Sequence, residues 1–159
     1  MRNLFFSCLF SFFILTASIQ AQNISTVKIT QVMEEMAKDD DTTRIINLWA
    51  TWCAPCIKEL PYFEEVNAES QDAKIKIILL AVEDTPESIS RFVTKKNIQS
   101  QVMILDETDG SYWIPKINID WQGEIPVTLV VNNAHQKKKF HSGEIDKENL
   151  IKLIQESSN

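Results

Sequence analysis

Residues 44–56 read RIINLWATWCAPC and join a short apolar run to two cysteines that stand two residues apart. The run 44–50 is nearly continuously apolar and has the length of a buried strand. The residues that follow predict a helix, which begins at the cysteine pair and ends near Ser70. The strand therefore leads into a helix, and the two cysteines lie at the junction.

This junction suits thiol chemistry. Free backbone N–H groups at a helix N-terminus favour an anion, so we expect the pKa of Cys53 to lie below the ~8.5 of a free thiol. Cys56 follows one turn later on the same side of the helix, within reach of a disulfide bond to Cys53. Pro55 is tolerated because first-turn N–H groups lack partners within a helix. The pattern predicts that Cys53 attacks a substrate disulfide and that Cys56 resolves the mixed disulfide.

Two other interpretations of the cysteine pair stay open, an inert disulfide and half of a zinc site. An inert disulfide is disfavoured because its loop is too short to constrain much of the unfolded chain. Zinc normally takes four ligands, and the further candidates are His135 and His141, whose even spacing predicts one face of a strand. The third cysteine of the chain, Cys8, lies far from the pair in sequence. We therefore favour a redox-active pair and assign no metal or cofactor.

Glu59 is a third candidate catalytic residue. Glu59, Leu60 and Phe63 follow Cys56 at the i+3, i+4 and i+7 spacing of a single helical face. This spacing predicts a carboxyl group on the apolar side of the helix, close to the resolving thiol. Burial would raise its pKa and allow it to take a proton from Cys56. The alternative is a glutamate at the edge of this face that reaches solvent.

Residues 1–21 have the layout of a secretory signal peptide, and 22–159 would form one domain. Arg2 precedes an apolar stretch from Leu4 to Ala17, and small residues follow up to Ala21. An uncleaved membrane anchor is the alternative, although the stretch falls short of the ~20 apolar residues of a spanning helix. The chain has 16 basic and 22 acidic residues. This acidic balance without a basic stripe argues against nucleic acid or an anionic membrane as a partner.

The remaining pattern predicts an α/β fold with a mixed sheet and helices on both of its faces. Strands and helices alternate in the first part, which favours parallel pairing, and a tight turn at 132–133 favours an antiparallel pair at the end. The segment 106–124 is expected to be irregular. Helices are predicted at 27–38, from the cysteines to Ser70, after Thr85 and after Asp146, and strands at 44–50, 74–82, 102–105, 127–131 and up to His141.

The chain resembles the thioredoxin family, in particular its exported TlpA/ResA-like branch of thiol-disulfide oxidoreductases. The resemblance rests on the segment Cys53–Pro61, with Glu59 included, after a buried strand, and it extends over residues 27–156. It implies a thioredoxin-like fold. Asn47 stands where ordinary thioredoxins carry a buried aspartate, so that proton-handling role is absent or has moved to Glu59.

The resemblance also implies a substrate-binding surface. Ile125-Pro126-Val127-Thr128 matches the loop of the family in which a cis-proline faces the cysteines and pairs with the substrate backbone. Trp52, Pro55, Ile125 and Pro126 are the substrate-binding residues expected on this basis. Trp113 and Trp121 either line a partner groove or pack together as ordinary aromatic residues.

The function implied is thiol-disulfide exchange with cysteine-containing protein substrates, in the bacterial periplasm or cell envelope. Alanine and proline between the cysteines resemble reducing members, which implies a reductant recharged by a membrane electron donor, with cytochrome c maturation as one role of the branch. A disulfide-introducing oxidant and a redox-silent peptide-binding module are the alternatives. A peroxidase would need a peroxide-reactive cysteine environment, which the sequence does not indicate.

Overall fold

A computed structural model describes residues 24–71, 74–82 and 85–158. Residues 1–21, the predicted signal peptide, lie outside the described residues. The described part contains a mixed sheet of strand order β1-β4-β3-β2-β5-β6, flanked by helices on both faces. The strands are β1 (Ile24–Val27), β2 (Thr43–Trp49), β3 (Ile75–Ala81), β4 (Gln101–Leu105), β5 (Val127–Asn132) and β6 (Lys137–Ser142). The helices are α1 (Ile29–Met36), α2 (Ala54–Glu69), α3 (Pro86–Lys96), α4 (Gly110–Ile117) and α5 (Lys147–Ser157).

The pairing follows the predicted division into a parallel and an antiparallel part. Strands β1, β4, β3 and β2 pair in parallel, whereas β5 is antiparallel to β2 and β6 is antiparallel to β5. The carboxyl ends of β2 and β3 and the start of β5 consequently lie at the same end of the sheet. Helix α2 begins at this end.

Alternating side chains of the central strands pack into two separate cores, one on each face of the sheet. Ile45 and Trp49 of β2 pack with α2, α3 and α5 on one face. Ile46 and Leu48 pack with α1 and α4 on the other face. Because both faces are covered, all seven residues of β2 are buried, as expected for a central strand of a parallel sheet.

The structure corrects the predicted helix at 27–38. Residues Ile24–Val27 form β1, which pairs in parallel with β4, and the helix covers only Ile29–Met36. Strand pairing supplies partners for the backbone of the first residues, and β-branched side chains suit such an extended segment. The tertiary pairing therefore overrides the helical spacing of the apolar residues at this end.

The segment 106–124 is also more ordered than predicted. Gly110–Ile117 form α4, and Asp109 caps it by accepting a hydrogen bond from the backbone N–H of Ser111 at 3.0 Å. Pro115 inside the helix and the glycine at its start both disfavour a helix in isolation. Burial of Ile117 against the second core stabilises the helix despite these residues.

The predicted turn at 132–133 is displaced. Asn132 is the last residue of β5, and the turn covers 133–136, with Gln136 at a φ of 52°. His135 therefore lies in the turn, where its Nε2 is 3.1 Å from Asp41 Oδ1, and it does not share a strand face with His141. The prediction that both histidines lie on one face of a strand is therefore wrong, because the turn is longer than expected and includes His135.

None of the helices in 24–71, 74–82 and 85–158 is long and apolar enough to span a membrane.

Candidate active site

Cys53 is the N-cap residue of α2 and is joined to Cys56 by a disulfide. The sulfur atoms are 1.98 Å apart, and the backbone N–H of Cys56 donates to Cys53 Sγ at 3.3 Å. Cys53 is 5% exposed, whereas Cys56 is completely buried. The outer sulfur is thus the one open to attack, and a backbone N–H of the first turn donates to it.

The loop before β5 lies directly against this disulfide. The Ile125–Pro126 peptide bond is cis, as the family resemblance implied. Cys53 Sγ lies 3.8 Å from the carbonyl oxygen of Ile125. The loop therefore places backbone polar groups next to the reactive sulfur, where an extended peptide can pair with them.

The surface around Cys53 combines exposed apolar groups with this backbone. Trp52 is 71% exposed, and Pro55 is also exposed at the start of α2. Ile125 is half-buried, and Pro126 is buried. The four residues predicted to bind substrate lie in the two segments that meet at Cys53.

Glu59 is fully buried, which excludes the alternative of a glutamate that reaches solvent. Its Oε1 accepts a hydrogen bond from Asn47 Nδ2 at 2.7 Å, and its Oε2 accepts one from the backbone N–H of Ile145 at 2.8 Å. Burial raises the pKa of Glu59 to about 7, against the two donors, which lower it. Since Cys56 and Glu59 are one helical turn apart on the buried face of α2, a titratable acid lies next to the buried cysteine.

Three residues around this acid were not assigned a role from the sequence. Asn47 on β2 lies opposite Thr128 on β5, and the backbone of Ile145 comes from the segment before α5. The available signals were a polar residue inside the run 44–50 and a threonine in the apolar run 127–131. Neither signal predicts a contact by itself, because the contact between the two side chains depends on the register of β2 and β5.

The charged residues near Glu59 are paired with each other. Lys58 and Glu144 form a salt bridge at the surface, and Glu144 adds a like charge that further raises the pKa of Glu59. No group of three or more His, Cys, Asp or Glu residues within the described ranges is arranged to hold a metal ion. The chemistry that the arrangement supports is thiol exchange at Cys53 and Cys56 with proton transfer at Glu59.

The segment that leads into the Pro126 loop is fixed by aromatic packing. Trp121 is 3% exposed, and its rings contact Trp113 at 5.6 Å and Phe140 at 6.4 Å between centroids. Its Nε1–H donates to the carbonyl oxygen of Glu124 at 2.8 Å. Trp121 therefore packs in the second core instead of lining a groove.

The mixed sheet, the disulfide at the start of α2 and the cis-proline beside it define a thioredoxin-like protein. Solved structures with this fold include a thiol:disulfide interchange protein from Chlorobium tepidum, at 20% identity and a TM-score of 0.63, which covers 75% of this chain and 81% of that one. A secreted disulfide oxidoreductase from Mycobacterium tuberculosis matches at 18% identity and a TM-score of 0.58, covering 74% and 84%. At these identities the likeness shows the fold.

A sequence model of the AhpC/TSA family matches residues 16–136, so the chain belongs to the AhpC/TSA family. Among curated relatives, the thiol-disulfide oxidoreductase ResA of Bacillus cereus is 28% identical over 112 residues. The match covers 69% of this chain and 60% of that protein. The ResA protein of Bacillus anthracis is 27% identical over 107 residues, which are 66% of this chain and 57% of that protein. The chain thus spans about three fifths of the length of the curated relatives it matches.

Proposed function

We propose that this protein is a thiol-disulfide oxidoreductase that exchanges the Cys53–Cys56 pair with cysteines of other proteins. The observation that carries the proposal is the disulfide at the N-terminus of α2, with Cys53 Sγ 3.8 Å from the carbonyl oxygen of Ile125. The names of the curated ResA relatives support the same activity. The cysteines do not depend on a cofactor in this proposal.

The reaction begins from the dithiol form. The Cys53 thiolate attacks one sulfur of a substrate disulfide, forms a mixed disulfide and releases the first substrate thiolate. Cys56 then loses its proton, and its thiolate attacks Cys53 Sγ and releases the second substrate thiolate. The substrate disulfide is reduced to two thiols, and the Cys53–Cys56 disulfide is formed.

Glu59 is the proposed proton acceptor for the second step. Cys56 is fully buried and needs a neighbouring base before it can become a thiolate. A carboxyl group with a pKa of about 7 takes up and returns a proton near neutral pH. The helical spacing of the two residues on the buried face of α2 supports this assignment.

Substrate binding is assigned to the surface formed by Trp52, Pro55, Ile125 and Pro126. An extended substrate segment would pair with the backbone at Ile125 while its apolar side chains cover the exposed indole of Trp52. This mode accepts many sequences because the backbone provides most of the contacts. Proteins with accessible cysteines are accordingly the proposed substrates.

The proposed direction is reduction. Alanine and proline between the cysteines resemble reducing members of the family, and a reductant needs an electron supply, which we assign to a membrane donor. Export to the periplasm or cell envelope is supported by the pattern of residues 1–21. We propose cytochrome c maturation as the process in which the reductant acts. A disulfide-introducing oxidant is the alternative that uses the same residues in reverse.

The first experiment is to measure the reduction potential of the pair by equilibrating the purified protein with glutathione and dithiothreitol buffers. A potential near ~−270 mV or lower supports a reductant, and one near ~−120 mV assigns the oxidant direction instead. A Cys53→Ser, Cys56→Ser variant is the control for reagent binding outside the pair. Failure of the pair to exchange with either buffer would leave a peptide-binding module as the function.

A further inference from the structure

Asn47 is a polar residue in an apolar layer. It lies on β2 between Ile45 and Trp49 on the face that packs against α2, and it is fully buried. Its Nδ2 is 2.7 Å from Glu59 Oε1, 3.2 Å from Thr128 Oγ1 and 3.4 Å from the carbonyl oxygen of Val127. The other atom of the same amide, Oδ1, is buried and has no hydrogen-bond partner.

An unpartnered buried carbonyl oxygen is costly. It loses its hydration on folding and regains no bond, at about 1–3 kcal/mol for such a group. An apolar side chain of similar size would fill this layer without that cost. Because the short bond from Nδ2 to the Glu59 carboxylate is charge-assisted, it is the contact best able to offset it.

We propose that Asn47 is the positioning residue for Glu59, and that its amide holds the carboxylate in a fixed orientation and ties it to β5 directly after Pro126. The inference rests on the proposed function of the cysteine pair. In this inference Asn47 and Glu59 act together in proton handling, the role that a buried aspartate has at the position of Asn47 in ordinary thioredoxins. It also gives Glu59 a direct link to the strand that continues the substrate-binding loop.

The amide can serve both protonation states of Glu59. An ionised carboxylate needs a donor, and Nδ2 supplies it. A protonated carboxyl needs an acceptor, and a half-turn of the amide brings Oδ1 to the place of Nδ2 without other movement. The hydroxyl of Thr128 accepts from Nδ2 in the first arrangement and can donate to Oδ1 in the second.

Among the residues that the structure describes, three groups act on Glu59 from the elements packed around it. The amide of Asn47 comes from β2, and the backbone N–H of Ile145 comes from the segment before α5. The charge nearby belongs to Glu144, which is paired with Lys58 at the surface. Of these groups, Asn47 is the side-chain donor, so it is the one whose removal by substitution is informative.

The test is the pH profile for oxidation of the reduced full-length protein by insulin disulfides, for wild type and Asn47→Leu. Loss of a donor to the carboxylate is expected to move the midpoint assigned to Glu59 upward by about one pH unit. The rate at pH 7 is expected to fall by about fivefold, since the ionised fraction of Glu59 falls from about one half to about one eleventh, with little difference above the shifted midpoint. Ser100→Ala is the matched control, because Ser100 Oγ is also buried without a partner but lies just before β4, which β3 separates from β2.

A double-mutant cycle separates positioning from simple packing. If Asn47 acts through Glu59, Asn47→Leu has no further effect on the profile in a Glu59→Gln background. An equal loss of rate at all pH values, additive with Glu59→Gln, would overturn the inference. Thr128→Val is the second variant should Asn47→Leu fail to fold. A smaller shift in the same direction is expected, because this variant removes the hydroxyl partner of the Asn47 amide but keeps the bond from Asn47 to Glu59.

The outcomes also distinguish this inference from the proposed function. A wild-type protein that neither reduces insulin nor exchanges with the glutathione and dithiothreitol buffers would remove the oxidoreductase assignment itself. A wild-type protein that reduces insulin, with both the Asn47 and Thr128 variants at the wild-type midpoint, would remove only the role of Asn47.

Discussion

Cys53 and Cys56 differ in their position on α2 and in their burial. The outer sulfur contacts Ile125 and lies at a helix N-terminus, whereas the inner one is fully buried. In the proposed reaction a substrate disulfide therefore meets Cys53 first, and Cys56 acts on the mixed disulfide that results.

Substituting each cysteine by serine should separate these two roles. Reduced Cys56→Ser is expected to hold a long-lived mixed disulfide with a substrate protein, because no second thiol is present to release it. Reduced Cys53→Ser is expected to hold little or none, because its remaining thiol is buried. Non-reducing electrophoresis and intact mass of the adduct measure this, and equal trapping by both variants would contradict the assignment.

Glu59 should make the stability of the fold depend on pH. Its pKa is about 7 in the folded protein and near 4.5 in the unfolded chain, so folding takes up a proton between these values. The contribution of Glu59 to stability therefore falls as pH rises from 4.5 through 7, by on the order of 3 kcal/mol, and this contribution is level outside that window. Glu59→Gln lacks this titration. Urea unfolding at pH 4 and pH 8 should show wild type losing stability relative to Glu59→Gln, and parallel curves would be evidence against a raised pKa.

At the scale of single residues, the cysteine pair and the buried acid were predictable because their partners are close in sequence. A helix fixes the relation of Cys53, Cys56 and Glu59 by its own geometry. The partnership of Asn47 and Thr128 depends on which strands pair and in which register, and no local pattern encodes that. The burial of Glu59 in turn depends on the segment before α5 covering it.

At the scale of elements, α1 and β2 are joined by a group of charges at the end of the sheet opposite the cysteines. Glu35 accepts hydrogen bonds from Arg44 Nε at 2.9 Å, from Lys76 Nζ at 2.8 Å and from Lys38. Burial alone would raise the pKa of Glu35, yet these three cations lower it to about 2. The side chain of Arg44 is 4% exposed, so its charge depends on this pairing.

Removing the carboxylate of Glu35 should destabilise the fold in a pH-dependent way. Glu35→Gln leaves Arg44 buried with one carboxylate fewer, and a loss of about 3 kcal/mol is expected at pH 7. Because the folded pKa is depressed, the contribution is fully present above about 4.5 and disappears as pH falls through 2. Urea unfolding followed by circular dichroism tests this, with Glu34→Gln, the neighbouring glutamate on α1, as the matched control. A loss that persists unchanged at pH 2 would assign the effect to packing.

The elements that were predicted wrongly are those whose stability comes from tertiary contacts. Strand β1 exists because β4 offers it a parallel partner, and α4 exists because Ile117 is buried in the second core. By contrast β2, α2 and β3 carry long apolar patterns that specify both type and position. The site was predictable to the extent that it lies on those three elements.

For the whole molecule, the redox state and the stability are linked. If the folded pair is more reducing than the same pair in the unfolded chain, as proposed for a reductant, the disulfide form must be the more stable fold. Each 30 mV of that difference corresponds to about 1.4 kcal/mol. The oxidised protein is therefore expected to unfold at higher urea than the dithiol protein kept in excess dithiothreitol. The Cys53→Ser, Cys56→Ser variant controls for effects of the reagent, and a more stable dithiol form would indicate an oxidant.

The position of β6 affects the tendency of the protein to aggregate. This strand lies at one edge of the sheet, and it carries Lys137, Lys138 and Lys139 in succession. An exposed sheet edge invites pairing with another chain and the growth of aggregates, and a row of like charges repels any second copy that approaches. The lysine run thus disfavours the pairing of a second copy of the chain along this edge of the sheet.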